Sequence, residues 1–221
     1  MDFERVNIFT ESFICDETRE DAEALAALYK DAVKRGVPVI RPATRSFIRT
    51  ILSAKQPMRA LEIGTAIGYS ALYSIGYMAE GAHLTTMELD EARVEEAKKH
   101  IEEFGRTKDI TVMTGDAAEL LKELPDASYD YVFVDAAKGQ YLNYLPEVLR
   151  VTVPGSIILS DNIFQEGTIL ESRFEVERRD RTIHERIRTY LYELTHTDGL
   201  TTSVLPLGDG MALTVKSDTS N

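Results

Sequence analysis

The sequence predicts an α/β fold of the Rossmann-like type, with a mostly parallel seven-stranded sheet and helices on both of its faces. From residue 59 onward, short apolar segments of strand type alternate with segments of helical periodicity. The 221 residues include 43% hydrophobic side chains, which is typical of a globular domain with a full core. We therefore expect a single domain over 1–221, with an N-terminal helical cap over about 1–57 and the Rossmann-like core over 58–221.

Helices and strands follow one another in a regular order. Two helices are predicted ahead of the sheet, over about 20–35 and 42–53, and the first ends at Gly36. Strands are predicted over 59–63, 83–88, 110–113, 129–134 and 156–160. The helices between them are predicted over 69–78, 91–104, 117–124 and 140–149. This alternation indicates a parallel sheet.

The C-terminal part departs from the alternation. A long helix is predicted over 174–194, and strands over 201–205 and 211–215 flank a turn-rich link at 206–210. We expect these last strands to form a hairpin that adds antiparallel strands to the sheet.

The charge distribution leaves two interpretations open. A net charge of −12 argues against nucleic acid as a partner. Two segments nevertheless carry several cations. The first, 36–61, has no acid and contains Arg41, Arg45, Arg49, Lys55 and Arg59. The second contains Arg173, Arg178, Arg179, Arg181, Arg186 and Arg188, interleaved with acids. They form either solvated helix faces or contacts to phosphate.

The chain has the features of a cytoplasmic protein. No apolar run approaches the roughly 20 residues that span a bilayer, and the N-terminus lacks the layout of a signal peptide. The single cysteine, Cys15, excludes an internal disulfide. We expect a cytoplasmic location and no membrane partner.

The loop after the first strand indicates a cofactor site. Gly64 and Gly68 allow a sharp turn, and the helix that follows directs its free amides into the crevice. Glu62 suits the ammonium of a methionyl group, Glu88 the hydroxyls of a ribose, and Asp116 an adenine amino group. S-adenosylmethionine fits this set, whereas Glu62 would repel the pyrophosphate of a nicotinamide dinucleotide. A purely structural turn is the alternative.

Oxygen ligands at two strand ends indicate a metal site. Asp135 follows the fourth strand, and Asp161 and Asn162 follow the fifth. Adjacent parallel strands would bring these side chains to one edge of the sheet, next to Lys138. Oxygen ligands suit a hard divalent cation, above all Mg²⁺. The alternative is that the acids cap neighbouring helices.

Several of these stretches carry a family resemblance. The segment 61–162 resembles the superfamily of catechol and caffeoyl-CoA O-methyltransferases, which have a Rossmann-like fold and use S-adenosylmethionine and a divalent metal. Residues 51–57, 61–71, 135–141 and 208–210 resemble its bacterial tRNA 5-hydroxyuridine methyltransferases, which make 5-methoxyuridine at the wobble position. Where the catechol enzyme has a histidine–tryptophan pair, this chain has Ala136 and Ala137, so that enzyme's aromatic gate is not expected here.

The resemblance implies roles for individual residues. Asp135, Asp161 and Asn162 match the metal ligands, and Lys138, together with Asp135, matches the catalytic positions. The cofactor contacts would be Ile40, Glu62, Gly64, Tyr69, Ser70, Glu88, Asp116, Ala117 and Asp135. A homodimer is implied as well.

Three functions remain open at the level of sequence, beside a nicotinamide oxidoreductase, which Glu62 disfavours. The first is methylation of 5-hydroxyuridine in the tRNA anticodon, and the second is methylation of a small catechol-like or phenylpropanoid acceptor. Both acceptors present two vicinal oxygens, so the mechanism does not choose between them. The third is a catalytically silent RNA-binding or scaffold protein, which would not need the metal set or Lys138.

Overall fold

The seven strands of the sheet confirm the predicted fold class. The computed structural model describes Phe13, residues 22–172 and residues 174–217. The strands are β1 (Arg59–Ile63), β2 (His83–Glu88), β3 (Ile110–Thr114), β4 (Tyr129–Val134), β5 (Thr152–Asp161), β6 (Leu200–Leu205) and β7 (Met211–Lys216). They lie in the order β3-β2-β1-β4-β5-β7-β6. The first five pair in parallel, and β7 runs antiparallel to both β5 and β6.

Seven helices accompany the sheet in the described ranges. They are α1 (Glu23–Lys34), α2 (Pro42–Lys55), α3 (Tyr69–Ile75), α4 (Glu91–Glu103), α5 (Ala117–Glu123), α6 (Tyr141–Val151) and α7 (Arg181–His196). Short 3₁₀ helices span Lys138–Gln140 and Thr168–Leu170. None of the described helices is long and apolar enough to cross a membrane.

The sheet is covered on both faces, as the alternation of its side chains shows. Ala60 and Tyr131 join one buried apolar cluster, whereas their neighbours Leu61 and Val132 join the other. Residues of α1 to α4 fill the first cluster, and residues of α5 to α7 fill the second. Successive residues of a strand point to opposite faces, so each strand contributes to both clusters. The two N-terminal helices thus pack into the same core as the sheet.

The centre of the sheet sets up a crevice. The strand order reverses at β1, which pairs in parallel with β2 on one side and β4 on the other. At the start of β1, the carboxylate of Asp130 in β4 accepts the backbone N–H groups of Met58, at 2.9 Å, and Arg59, at 3.0 Å. This side-chain contact supports the β1–β4 register at the amino ends of the two strands. The connections at their carboxyl ends enclose the crevice where ligands of open α/β sheets bind.

Several predicted boundaries are wrong. The long helix expected over 174–194 begins only at Arg181, because residues 174–180 form turns. In that stretch only Val176 is buried, so a helix there would have no apolar stripe to pack. Strand β5 begins at Thr152 rather than at residue 156, and α3 ends at Ile75 rather than at residue 78.

Some of the sequence predictions cannot be compared with the fold. The expected start of the first helix, at residues 20 and 21, lies outside the described residues, as do Cys15 and Arg173.

Candidate active site

A cavity of about 590 Å³ opens at the carboxyl ends of the parallel strands. Eleven of the twelve predicted site residues line it: Ile40, Gly64, Tyr69, Ser70, Glu88, Asp116, Ala117, Asp135, Lys138, Asp161 and Asn162. The connection between α1 and α2 closes one side of this cavity with Pro38, Val39, Ile40 and Arg41. The structure therefore brings the predicted cofactor and metal residues into one space.

The loop after β1 approaches the end of β4 very closely. Gly64 has a φ of +92°, and a Cβ atom on it would lie 2.1 Å from the carbonyl oxygen of Asp135. Only glycine fits such an approach. Gly68, with a φ of +83°, precedes α3, and a Cβ atom there would lie 3.3 Å from Ala97. Both glycines thus bring the loop close to neighbouring elements of the protein, and their role in admitting a ligand to the backbone stays a prediction.

Glu88 ties the loop to the end of β2. One of its carboxylate oxygens accepts the N–H of Ala66 at 2.9 Å. The other accepts the N–H groups of Leu89, at 2.9 Å, and Asp90, at 3.0 Å. These bonds fix the carboxylate where it lines the cavity, and the oxygen that accepts only the N–H of Ala66 retains a lone pair for a further donor.

Glu62 does not lie where the sequence analysis placed it. Its side chain is 2% exposed and does not line the cavity. The carboxylate accepts the hydroxyls of Thr65, at 2.7 Å, and Thr86, at 2.5 Å. Burial raises the pKa of Glu62, while these hydroxyls and that of Ser70 lower it. Glu62 therefore supports the loop from beneath, and its contact to a cofactor ammonium stays a prediction.

Tyr69 is held by an arginine whose role the sequence analysis missed. The guanidinium of Arg45 donates to the Tyr69 hydroxyl at 2.9 Å and lies 4.9 Å from the centre of the Tyr29 ring. Cations attract aromatic faces in this range. Arg45 had been grouped with residues that could contact phosphate, and no sequence pattern pairs it with Tyr69. The structure instead gives it a positioning role in the wall of the cavity.

Asp116 combines two roles. It lines the cavity, and its side chain accepts the N–H of Ala118 at 2.9 Å as the N-cap of α5. The capping alternative considered for the metal-site acids thus applies to this residue in part. Its uncommitted carboxylate oxygen remains available to a ligand.

The predicted metal ligands meet at the ends of β4 and β5. Asp161 is 1% exposed, and its carboxylate accepts the N–H of Asn162 at 2.7 Å. The ammonium of Lys138 lies 3.4 Å from the side-chain oxygen of Asn162. Burial and the neighbouring Asp135 raise the pKa of Asp161 to about 7, and burial raises the pKa of Asp135 as well.

This set fits a divalent cation. Burial and mutual repulsion make the ionisation of these two carboxylates costly. A positive ion between them would therefore stabilise their ionised forms strongly. Carboxylate and amide oxygens are the donors that Mg²⁺ prefers. In the described ranges no three histidine, cysteine, aspartate or glutamate side chains form a metal site. The predicted ligand set contains only two such side chains, Asp135 and Asp161, and its third member is the amide of Asn162.

Tyr141 braces this edge of the sheet. Its hydroxyl lies 3.0 Å from the carbonyl oxygen of Asp161 and accepts the N–H of Ala136 at 3.3 Å. The sequence analysis included Tyr141 only as the last residue of a quoted motif. An isolated tyrosine gives no signal of such a role, because the partners are backbone atoms from two different strands.

The similarity to known proteins agrees with this geometry. The model of the O-methyltransferase family matches residues 16–217, which is nearly the whole chain. The chain belongs to the O-methyltransferase family. The predicted enzyme class, an S-adenosylmethionine-dependent O-methyltransferase, is therefore confirmed.

One curated relative is a catechol O-methyltransferase of Niastella koreensis. It is 29% identical over 164 residues, which are 72% of this O-methyltransferase chain and 74% of the relative. The similarity extends over most of both proteins and agrees with the family assignment.

Two solved structures share the fold. The SAH-bound methyltransferase PaMTH1 of Podospora anserina has a TM-score of 0.86 at 21% identity, over 99% of this chain and 98% of its own. The O-methyltransferase TomG of Streptomyces achromogenes, involved in tomaymycin synthesis and solved in complex with SAM, has a TM-score of 0.83 at 22% identity. That match covers 98% of this chain and 99% of TomG. At these identities the likeness concerns the fold.

Proposed function

We propose that this enzyme transfers the methyl group of S-adenosylmethionine to the 5-hydroxyl of 5-hydroxyuridine at the wobble position of tRNA, with Mg²⁺ as its cation. The observation that carries the acceptor is the position of the two cationic segments. Arg41 lines the cavity on one side. On the other side, α7 begins against the turn that carries Lys138, since a Cβ atom on Gly139 would lie 3.9 Å from Ile183. Residues 178–181 come just before this contact in the chain, which supports a place for them near that side of the opening.

The cofactor would lie across the glycine loop. Glu88 would accept the ribose hydroxyls, and Asp116 would accept the adenine amino group with its free oxygen. The backbone of Gly64 would face the methionyl part, which places the sulfonium toward Asp135. All four residues line the same cavity, which supports this arrangement.

Asp135, Asp161 and Asn162 would hold the cation. A bound divalent cation lowers the pKa of an acceptor hydroxyl and orients two vicinal oxygens. The 5-hydroxyl and 4-carbonyl oxygens of 5-hydroxyuridine form such a pair. Tyr141 and the backbone N–H of Asn162 keep the two strand ends that carry these side chains in place.

Lys138 and the cavity walls would carry the transfer step. Lys138 lies beside Asn162, so it either takes the hydroxyl proton as a base or stabilises the oxyanion as a cation. The acceptor oxygen would attack the sulfonium methyl carbon as the carbon–sulfur bond breaks, and S-adenosylhomocysteine would leave as a neutral thioether. The hydroxyl proton would pass to Lys138, or to water where Lys138 stays charged. The residues of the loop and strand ends supply the near-attack geometry.

The arginines differ in how strongly they support a tRNA acceptor. Arg45 holds Tyr69, and Arg179 pairs with Glu177 at 3.0 Å and with Asp180 at 3.4 Å. Arg178 is exposed, and within the described part of the chain it has no hydrogen bond or ion pair. Arg41 and Arg178 are thus the residues that we expect to contact phosphate.

A small catechol-like acceptor is the second candidate. The catechol O-methyltransferase of Niastella koreensis favours it, and a catechol offers the same pair of vicinal oxygens. Ala136 and Ala137 line the cavity with small side chains and leave room for either ring.

The experiment compares two acceptors with three proteins. We would assay wild type, an Arg178→Ala/Arg179→Ala variant and a Lys98→Ala/Lys99→Ala control on hypomodified tRNA and on a catechol. The arginine variant should raise KM for tRNA, with a loss that shrinks as salt rises. The lysine control removes the same charge from the exposed surface of α4 and should leave KM nearly unchanged. Efficient wild-type turnover of the catechol with none on tRNA would select the second candidate.

A further inference from the structure

The loop that follows the cation ligands has an unusual backbone. Asn162, Gln165 and Glu166 have φ angles of 56°, 49° and 55°, in the left-handed region that side-chain-bearing residues rarely adopt. Such conformations persist only where surrounding contacts hold them. Because Asn162 is one of the proposed ligands, whatever holds this loop also determines where that ligand lies.

The turn between β6 and β7 provides the contacts. The carbonyl oxygen of Asp209 accepts the N–H of Phe164 at 2.8 Å, and its carboxylate accepts the N–H of Glu166 at 2.8 Å. The carbonyl oxygen of Gly210 accepts the N–H of Ile163 at 3.0 Å. Three backbone donors of the loop are thus satisfied by two consecutive residues that lie more than forty positions away in the sequence.

The turn is itself wedged between two elements. A Cβ atom on Gly210 would lie 2.4 Å from the ring of Phe164. A Cβ atom on Gly208 would lie 2.9 Å from the Thr44 hydroxyl in the first turn of α2. Both glycines therefore allow contacts that a side chain would prevent. The turn has little room to shift, which makes it a firm support for the loop.

Asp209 is suited to this task by its surroundings and by the acceptor oxygens of its carboxylate. It is half-buried, and burial raises its pKa, whereas the hydrogen bond from Glu166 and the cations of Arg41 and Lys138 lower it. One carboxylate oxygen is committed to the loop. Asp209 does not line the cavity, so its hydrogen bonds act on the cation site through the loop, while its negative charge also contributes to the raised pKa of Asp161.

We infer that Asp209 is a positioning residue that holds the loop 162–167 in its left-handed shape and thereby sets Asn162 for cation binding. The inference rests on the cation site of the proposed function. The carbonyl and carboxylate oxygens of Asp209 both hold the loop, but only the carboxylate can be removed by substitution. The side chain is therefore the part that an experiment can test.

The test separates the hydrogen bond from the charge. In Asp209→Asn the side-chain oxygen can still accept the N–H of Glu166, whereas in Asp209→Ala no acceptor remains. Asp198→Ala removes an exposed acid near the other end of β6 and serves as the control. Hydrogen exchange of residues 162–167 would be measured without added metal, and Mn²⁺ affinity would be measured by electron paramagnetic resonance.

We expect Asp209→Ala to speed exchange of the loop at least tenfold and to weaken Mn²⁺ binding by about 10–100-fold, the usual loss for a residue behind a metal ligand. Asp209→Asn and Asp198→Ala should resemble wild type in both measurements. Unchanged loop exchange in Asp209→Ala would overturn the inference. It would also be overturned if Asp209→Asn weakened binding as much as Asp209→Ala, because the charge would then be decisive.

Two further results keep the outcome clear. If Asp209→Ala does not fold, Gly210→Ala presses on Phe164 from the same turn and should likewise speed loop exchange. If wild type binds no Mn²⁺, the proposed cation site fails, and the exchange comparison then decides the hold of Asp209 on the loop by itself.

Discussion

The hydroxyl of Tyr141 lies 3.0 Å from the carbonyl oxygen of Asp161, on a side chain that is completely buried. The hydroxyl oxygen of Tyr141 also accepts the N–H of Ala136, the residue after Asp135. One phenol therefore connects the backbone beside Asp135 and Asp161, the two acidic ligands of the proposed cation site. Because those ligands repel each other, a brace between their strands stabilises an arrangement that their charges oppose.

Tyr141→Phe should remove this brace. The Ala136 amide and the Asp161 carbonyl would lose a buried partner, which should lower the free energy of unfolding by about 1–3 kcal/mol. We expect kcat to fall more than the KM for S-adenosylmethionine, because the ligand strands shift while the glycine loop does not. Urea denaturation and steady-state kinetics measure the two effects.

The matched control is Tyr129→Phe, which removes a buried hydroxyl 3.3 Å from Thr85 at the amino end of β4. It should cost stability without changing kcat. Equal kcat values for the two variants would contradict the role assigned to Tyr141.

Glu88→Gln should weaken the binding of S-adenosylmethionine by about 1–3 kcal/mol, the cost of losing a hydrogen bond to a charged group. An amide keeps one acceptor oxygen, but its NH₂ group faces backbone N–H donors that the carboxylate satisfied. Titration calorimetry measures the change. Glu91→Gln, an exposed acid three residues further on, should bind as wild type does. Unchanged affinity for Glu88→Gln would show that Glu88 holds the loop but not the ribose.

Asp161→Asn should abolish divalent-cation binding and methyl transfer, yet stabilise the metal-free protein near neutral pH. The folded pKa of about 7 lies above the unfolded value of roughly 3.9. The native state thus holds its proton more tightly, and the free energy of unfolding falls as pH rises between the two values. The asparagine does not titrate, so this decline should be smaller in the variant, where Asp135 and Glu62 remain as buried acids of raised pKa.

Urea denaturation with a chelator, at about pH 5 and about pH 7.5, would measure the difference. Wild type should lose on the order of 2 kcal/mol more than the variant over this interval. Parallel declines in the two proteins would contradict the burial of an ionising carboxylate at this position.

Gly64→Ala should destabilise the protein by about 3 kcal/mol or more, because left-handed strain and a clash with backbone act together. Gly81→Ala separates the two effects. Gly81 has a φ of +75°, but a Cβ atom there would meet nothing within 4 Å. Gly81→Ala should therefore lower the free energy of unfolding by only about 1–2 kcal/mol. Thermal denaturation of both variants tests the close approach of the loop to Asp135. If Gly64→Ala and Gly81→Ala lost similar amounts of stability, that close approach would be contradicted.

Most of the fold could be predicted because its signals are local. Each core strand is a short apolar run, and the glycine loop lies directly after β1, so periodicity and turn residues were sufficient. The start of α7 was missed because residues 174–180 contain helix-forming charged side chains, whereas of their two apolar residues only Val176 is buried and Phe174 is exposed. The local helix propensity of this segment is not sufficient to form a helix, because the segment has no apolar face to pack against the core.

The site was predictable as far as strand ends and motifs define it. The residues that were missed or misplaced act through distant partners: Arg45 on Tyr69, Asp209 on Glu166, and Glu62 on Thr86. None of these pairs has a fixed spacing in the sequence. They arise only when the sheet brings the elements together, so no motif could have announced them.

The hold of Asp130 on the first residues of β1 has a consequence for how this enzyme can change. Asp130 joins β1 and β4 at their amino ends, and Gly64 and Asp135 follow the carboxyl ends of the same two strands. The reacting centre is therefore built on the sheet. The surfaces that would meet an acceptor, at 37–41, 163–172 and 174–180, are connections outside the β-strands. Selection can therefore exchange these segments and acquire new acceptors while the transfer chemistry stays the same.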